Sequence, residues 1–199
     1  MRIYGYNNVE IPSNINSTIT IKGEVDNSNK MQNLVSEQLV GAGFNEIMNN
    51  SLTKLSYYKD GETYAEKNCV KIINPLSEDL SVMRQTLLYG GLESLKRNIN
   101  YRNSNLRMFE FGNCYYFKQD NRREGVILSP YSENYHLGMF ICGKRIEGSW
   151  QHANEESNFY ELKGYVENIF ARLGLAMKNY SIATKKNDIF AQALEIQTR

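Results

Sequence analysis

Apolar side chains along this chain recur with two periods, one helical and one alternating, and the switches between them divide it into elements. From Ser28 the period is helical. Met31, Leu34, Val35 and Leu39 share a face, and Gly41 and Gly43 follow as glycines follow helix ends. A second helix is expected over residues 86–101, with Leu88, Leu92, Leu95 and Ile99 on one face. A third is expected over residues 159–173, carrying Leu162, Val166, Ile169, Phe170 and Leu173 and closed by Gly174. Extended segments are expected at residues 14–22, 44–52, 70–73, 106–117 and 135–142, with weaker candidates at 180–183 and 193–197. Asn74-Pro75 halts the third of these, because proline has no N–H to give a ladder. Asp60-Gly61, the charged run 120–124 and Gly143 read as turns. Strands come in runs and hairpins between helices, not in strict alternation with them. That order predicts an α+β fold, an antiparallel sheet flanked by helices.

Composition changes this picture little. The 199 residues suffice for one buried core with a small appendage, and 41% hydrophobic with 23% charged residues is ordinary for a globular chain. A net charge of +1 means that any nucleic-acid contact has to come from a local patch and not from the field of the whole molecule. No run reaches the roughly 18–20 consecutive apolar residues of a membrane span, so no membrane partner is expected. The start, MRIYGYNNVEIP, lacks the apolar region of a signal peptide. Cys69, Cys114 and Cys142 are odd in number, far apart and without a C-x-x-C pair, so they read as thiols of a reducing, cytoplasmic compartment. His136 and His152 have no partner at helical spacing, and no metal site is expected.

One long run carries a resemblance: NPLSEDLSVMRQTLLYGGLESLKRNINYRNSNLRMFEFGNCYYF, from Asn74 to Phe117, preceded by Arg2-Ile3-Tyr4-Gly5-Tyr6-Asn7 and followed by Phe159-Tyr160-Glu161-Leu162-Lys163-Gly164. In order and spacing these segments resemble the β subunit of bacterial phenylalanine–tRNA ligase, over most of the chain up to about Gly174. The resemblance implies a class II aminoacyl-tRNA synthetase-like catalytic fold. It also implies that residues 1–12 end a preceding winged-helix-like module and its linker, and that residues 13–199 form a core domain truncated at its C-terminal side. The expected gene therefore extends beyond both ends of this sequence, and the magnesium-binding carboxylates of the family would lie upstream of Met1.

Three motifs define activity in class II enzymes. The helix over residues 31–43 resembles the motif 1 helix, which builds subunit interfaces. Met31, Leu34, Val35, Gln38 and Leu39 are accordingly the candidate interface positions. The proline of that motif aligns with Asn50, and Arg84-Gln85-Thr86 resembles the Arg-Thr segment that precedes motif 2. Motif 2 reads aromatic-Arg-x-Glu in active enzymes, and here those positions fall on Tyr115, Tyr116, Phe117 and Lys118. A tyrosine cannot offer the guanidinium fork that grips the ATP α-phosphate, and lysine reverses the charge of the glutamate. The motif 3 pattern Gly-x-Gly-x-x-Arg is absent from the sequence. Tyr89-Gly90-Gly91 and Asn113 depart from the β-subunit pattern itself, where Pro-Gly-Leu and Arg are usual.

The resemblance thus implies no catalytic residue and no cofactor bound by this chain, while the whole enzyme uses ATP and magnesium to charge tRNA(Phe) with phenylalanine. The implied partners are the catalytic α subunit in a heterotetramer and tRNA(Phe) through the assembly. An isolated piece with its interface helix uncovered is expected to be able to form a homodimer. Two other readings compete: a stand-alone RNA- or amino-acid-binding paralogue, and a free-standing ligase with an unusual site. Lys96, Arg97, Arg102 and Arg107, with Arg122 and Arg123 further on, offer phosphate contacts in one reading and solvated ends in the more ordinary one. Phe109, Phe111, Tyr115 and Phe117 read as core before base-stacking platform. Glu78 and Asp79 stand just before Arg84 as its candidate ion-pair partners or as cation ligands.

Overall fold

The structure, a computed structural model, describes residues 28–175 and 179–198. The expected strand at 14–22 and the segment Arg2 to Asn7 lie outside the described residues. Helix α1 (Ser28–Gly41) leads into strand β1 (Asn45–Glu46), and β2 (Leu52–Thr53) pairs antiparallel with β3 (Val82–Met83). Helix α2 (Leu88–Asn100) is followed by two long strands, β4 (Leu106–Phe117) and β5 (Tyr131–Cys142). A small hairpin of β6 (Lys144–Ile146) and β7 (Glu155–Glu156) precedes α3 (Phe159–Arg172), and the tail forms a last hairpin of β8 (Tyr180–Thr184) and β9 (Leu194–Thr198).

The central sheet has the order β1-β4-β5. β4 and β5 run antiparallel in register from Leu106↔Cys142 to Phe117↔Tyr131. β1 lies parallel to β4, because the chain between them crosses over through α2 and returns in the same direction. The period of two splits β4 between two cores. Phe109 and Phe111 face α1 and α3, where Val35, Leu39, Phe44 and Ile169 close the cluster. Met108 faces α2, where it meets Leu95 and Phe140. A third cluster gathers Tyr58, Cys69 and Val82 beneath the irregular segment 54–69, which holds two short 3-10 turns.

Several sequence expectations are corrected here. The strand expected over 44–52 breaks in two. Ile47 still donates to the Phe109 carbonyl at 2.8 Å, but Asn49 leaves the sheet to bond the Glu110 carboxylate. The segment 70–73 makes one bridge, Lys71 to Val82, with Ile72 N–H on the Ser81 carbonyl and Met83 N–H on the Val70 carbonyl, because β3 is only two residues long. On α2 the buried residues are Gly91 and Leu95, with Leu88 half-buried beside them, while Leu92 and Ile99 are 47% and 45% exposed. The cause is Phe140, whose ring packs so closely on Gly91 that a β-carbon there would run into it. Thr86, expected inside this helix, precedes it, and its hydroxyl accepts the Leu88 N–H at 3.2 Å.

Candidate functional site

Strand β4 carries the site. On its α2 face Glu110 is 1% exposed, and a buried carboxylate needs a cation and further donors to offset its lost hydration. Arg84, itself buried, supplies the cation: its Nη1 lies 2.6 Å from Glu110 Oε1. Asn49 supplies the donors, with its backbone N–H on Oε1 at 3.1 Å and its side-chain amide on Oε2 at 2.7 Å. The rest of the guanidinium is used as well, Nε donating to the Asn113 carbonyl at 2.9 Å and Nη1 to the Asn49 carbonyl at 3.4 Å. Ser94 of α2 donates to the Asn49 side chain at 2.8 Å, so the network joins the exit of β1, strand β4 and helix α2. The backbone seals it, with Arg84 N–H on Ser51 and Tyr115 N–H on Arg84. Gly112 is what lets the guanidinium lie on the strand, since a β-carbon at that position would collide with it.

Beyond Arg84, on the same face, opens a cavity of about 250 Å³ lined by Tyr64, Thr86, Leu87, Tyr116, Gly138 and Phe140 among others. Tyr116, the position aligned with the phosphate-gripping arginine, is part of this wall. Its phenol is pushed up to about 12, first by burial and then by Tyr64 and Cys114 nearby, so it stays neutral. Gln85, 1% exposed, donates its side-chain amide to the Ala65 carbonyl and the Cys69 sulfur, both at 2.9 Å. Burial pushes the thiols of Cys69 and Cys114 up.

This wall offers no cation of its own. It contains no lysine or arginine, the nearby Arg84 is already committed to Glu110, and the volume falls below the roughly 300–1,000 Å³ of typical ligand pockets.

The other sequence-derived positions scatter. Tyr115 lies on the opposite face of β4, half-buried, and Lys118 is exposed just past the strand end, its N–H on the Pro130 carbonyl. Asn50 is exposed and forms a local turn, its side-chain oxygen accepting the Leu52 N–H at 2.9 Å. Val35 and Leu39 are buried in this chain's own core, Leu34 and Gln38 are half-buried and Met31 is exposed. Of the five candidate interface positions, only Met31 and parts of Leu34 and Gln38 remain at the surface. Glu78 and Asp79 do not pair with Arg84, which takes Glu110 instead, while Asp79 reaches Lys54 at 3.6 Å. Among the described residues no group of acidic, histidine and cysteine side chains could hold a metal ion.

The six basic residues do not form one patch. Arg107 pairs with Glu161 of α3 at 3.0 Å, close to the start of β4. Arg122 and Arg123 follow its far end, separated from Arg107 by roughly 35 Å of extended strand. Neither the Glu110 partnership nor the Asn49 clamp was foreseen from the sequence. The one available signal was a lone acidic residue among alternating aromatics.

The fold, a sheet flanked by helices on both faces, is that of the class II tRNA synthetases. Two solved structures of pyrrolysyl-tRNA synthetase from Desulfitobacterium hafniense share it, with TM-scores of 0.54 and 0.56 at 12% and 10% identity. Both likenesses cover 85% of this chain, and 52% and 55% of the respective synthetase chains. Within that class the chain belongs to the family of the phenylalanyl tRNA synthetase beta chain CLM domain, whose model matches residues 11–196. It is 56% identical over its whole length to the phenylalanine–tRNA ligase beta subunit of Bacteroides thetaiotaomicron and 45% identical to that of Porphyromonas gingivalis. At 30% identity over 96% of the chain it also matches the corresponding subunit of Fusobacterium nucleatum. The chain spans about a quarter of the length of the curated relatives it matches. No helix among the described residues is long and apolar enough to cross a membrane.

Proposed function

We propose that this chain is a non-catalytic, synthetase-like domain of a phenylalanine–tRNA ligase β subunit. In this reading residues 13–199 form the synthetase-like core and residues 1–12 the end of a preceding module. The domain packs on the catalytic α subunit in a cytoplasmic heterotetramer and helps to form the surface that holds tRNA(Phe). The whole enzyme spends ATP, with magnesium, to charge that tRNA with phenylalanine; the domain itself binds neither. Isolated from its partner, it is able to pair with a second copy.

One observation carries the reading. The arginine nearest the cavity, Arg84, is neutralised at 2.6 Å by a fully buried glutamate, and the strand position that should grip phosphate is a neutral tyrosine, Tyr116. Adenylate chemistry depends chiefly on holding and neutralising phosphates, so a site without a free cation has little to offer it. Phenylalanine-dependent exchange of pyrophosphate into ATP tests this directly. The purified chain and its Tyr116→Arg variant are both expected to be inactive, while an intact β subunit is expected to co-purify with its α subunit. Exchange by the unmodified chain would overturn the non-catalytic reading, and an intact β subunit that ignores α would overturn the assembly reading.

A further inference from the structure

The loop joining β4 to β5 displays three consecutive aliphatic residues, Val126, Ile127 and Leu128, and Ile127 is 89% exposed. They are held in place. Ser129 accepts the Arg123 N–H at 2.7 Å and donates its hydroxyl to the Val126 carbonyl at 2.9 Å, while Tyr131 N–H bonds the Leu128 carbonyl at 3.0 Å. At the base of the loop Phe117 and Tyr131 pack with ring centroids 5.3 Å apart. An open depression of about 820 Å³ runs between this pair and the loop. A second, of about 580 Å³, continues from the same two rings toward Lys67 and Lys71. Arg122 and Arg123 stand on the rim, and neither has a carboxylate within ion-pair distance among the described residues.

We propose that this hairpin tip, residues 122–131 with Phe117, is a docking surface for a partner polypeptide that presents an apolar segment bordered by carboxylates. The proposal rests on the assembly reading above and assigns the contact a place on the domain. Aromatic, aliphatic and arginine side chains around one concavity are the composition of a protein interface core and its anchors. Two arginines without partners set the sign of the border, since a complementary surface has to bring carboxylates to them. RNA explains less. The loop carries two arginines against Glu124, and its three aliphatic side chains have nothing to gain from phosphates. Pairing of two such tips about a twofold axis would bring like charges together, which disfavours a second copy at this surface.

The test uses the intact β subunit and the α subunit of the same organism, with association followed by sedimentation. Ile127→Asp with Leu128→Asp, and separately Arg122→Glu with Arg123→Glu, are each expected to weaken association at least tenfold. The thermal midpoint and far-UV spectrum of the domain should be unchanged, because the altered side chains are exposed. The charge-matched pair Lys96→Glu with Arg97→Glu, at the other end of the molecule, should leave association within twofold. Association that survives both tip variants overturns the proposal and leaves the assembly reading standing. No association by the unmodified subunits overturns both. Loss of tRNA affinity on arginine reversal with α binding unchanged assigns the loop to phosphate and overturns the proposal. So does a dimer of the isolated chain that dissolves on Ile127→Asp while α binding persists.

Discussion

Replacing Glu110 by alanine removes the acceptor of the most buried ion pair described in the molecule and leaves its partners in place. Arg84 keeps its charge in a site closed to water, and the Asn49 N–H and side-chain amide lose their acceptor. Breaking one side of a buried pair costs about 3–5 kcal/mol, most of it the stranded charge. Against a domain stability of roughly 5–15 kcal/mol this is about a fifth of the total or more. Urea unfolding followed by far-UV circular dichroism measures it. With a slope of about 2 kcal/mol per molar, a loss of about 4 kcal/mol lowers the midpoint by about 2 M. The double variant Arg84→Met with Glu110→Leu separates causes. If the stranded guanidinium is the source of the loss, removing both charges should recover much of it, because apolar replacement of a buried pair is often neutral or stabilising. A Glu110→Ala variant that loses less than about 1 kcal/mol, or a double variant no better than the single one, would refute the account of β4, Asn49 and α2 as one linked unit.

Gly112→Ala should destabilise the domain by about 1–3 kcal/mol in the same assay, since its methyl group displaces the Arg84 guanidinium. Alkaline titration at 295 nm should find Tyr58 and Tyr116 silent until about pH 12 or until the protein unfolds. Their native pKa values lie above that of an unfolded tyrosine, so the stability they contribute is full below about pH 10 and drains away as pH rises further. An ordinary titration of every tyrosine near pH 10 in the folded protein would contradict this. Native thiol labelling at neutral pH should leave Cys69 and Cys114 unmodified and reach the half-buried Cys142 first. Asn158→Ala should cost about 1 kcal/mol by removing the side-chain oxygen that caps α3 through the Glu161 N–H at 3.0 Å.

What the sequence determined by itself was local. Helices over 28–41, 88–100 and 159–172 and strand 106–117 were legible because each announces its period over ten residues or so, while the tail gave only two weak strand candidates whose pairing was not read. Strand β5 was read from residue 135 and begins at 131, because its first residues are exposed on both faces and show no alternation. Two-residue strands such as β3 and β7 carry no period at all and were missed. The family resemblance was legible for a different reason, since it rests on residue identities and not on periodicity.

The candidate site was only half legible. That Tyr116 cannot grip phosphate follows from the residue type alone. Which carboxylate Arg84 would choose did not follow, because Glu78 and Asp79 are close in sequence whereas Glu110 is 26 residues away and becomes a neighbour only when β4 slides beneath the segment. The same holds for the basic residues, one cluster in sequence and two ends of a long strand in space, and for Val35 and Leu39, interface candidates by resemblance that pack into this chain's own core. Periodicity reports which side chains share a face. Only the assembled sheet decides what that face meets.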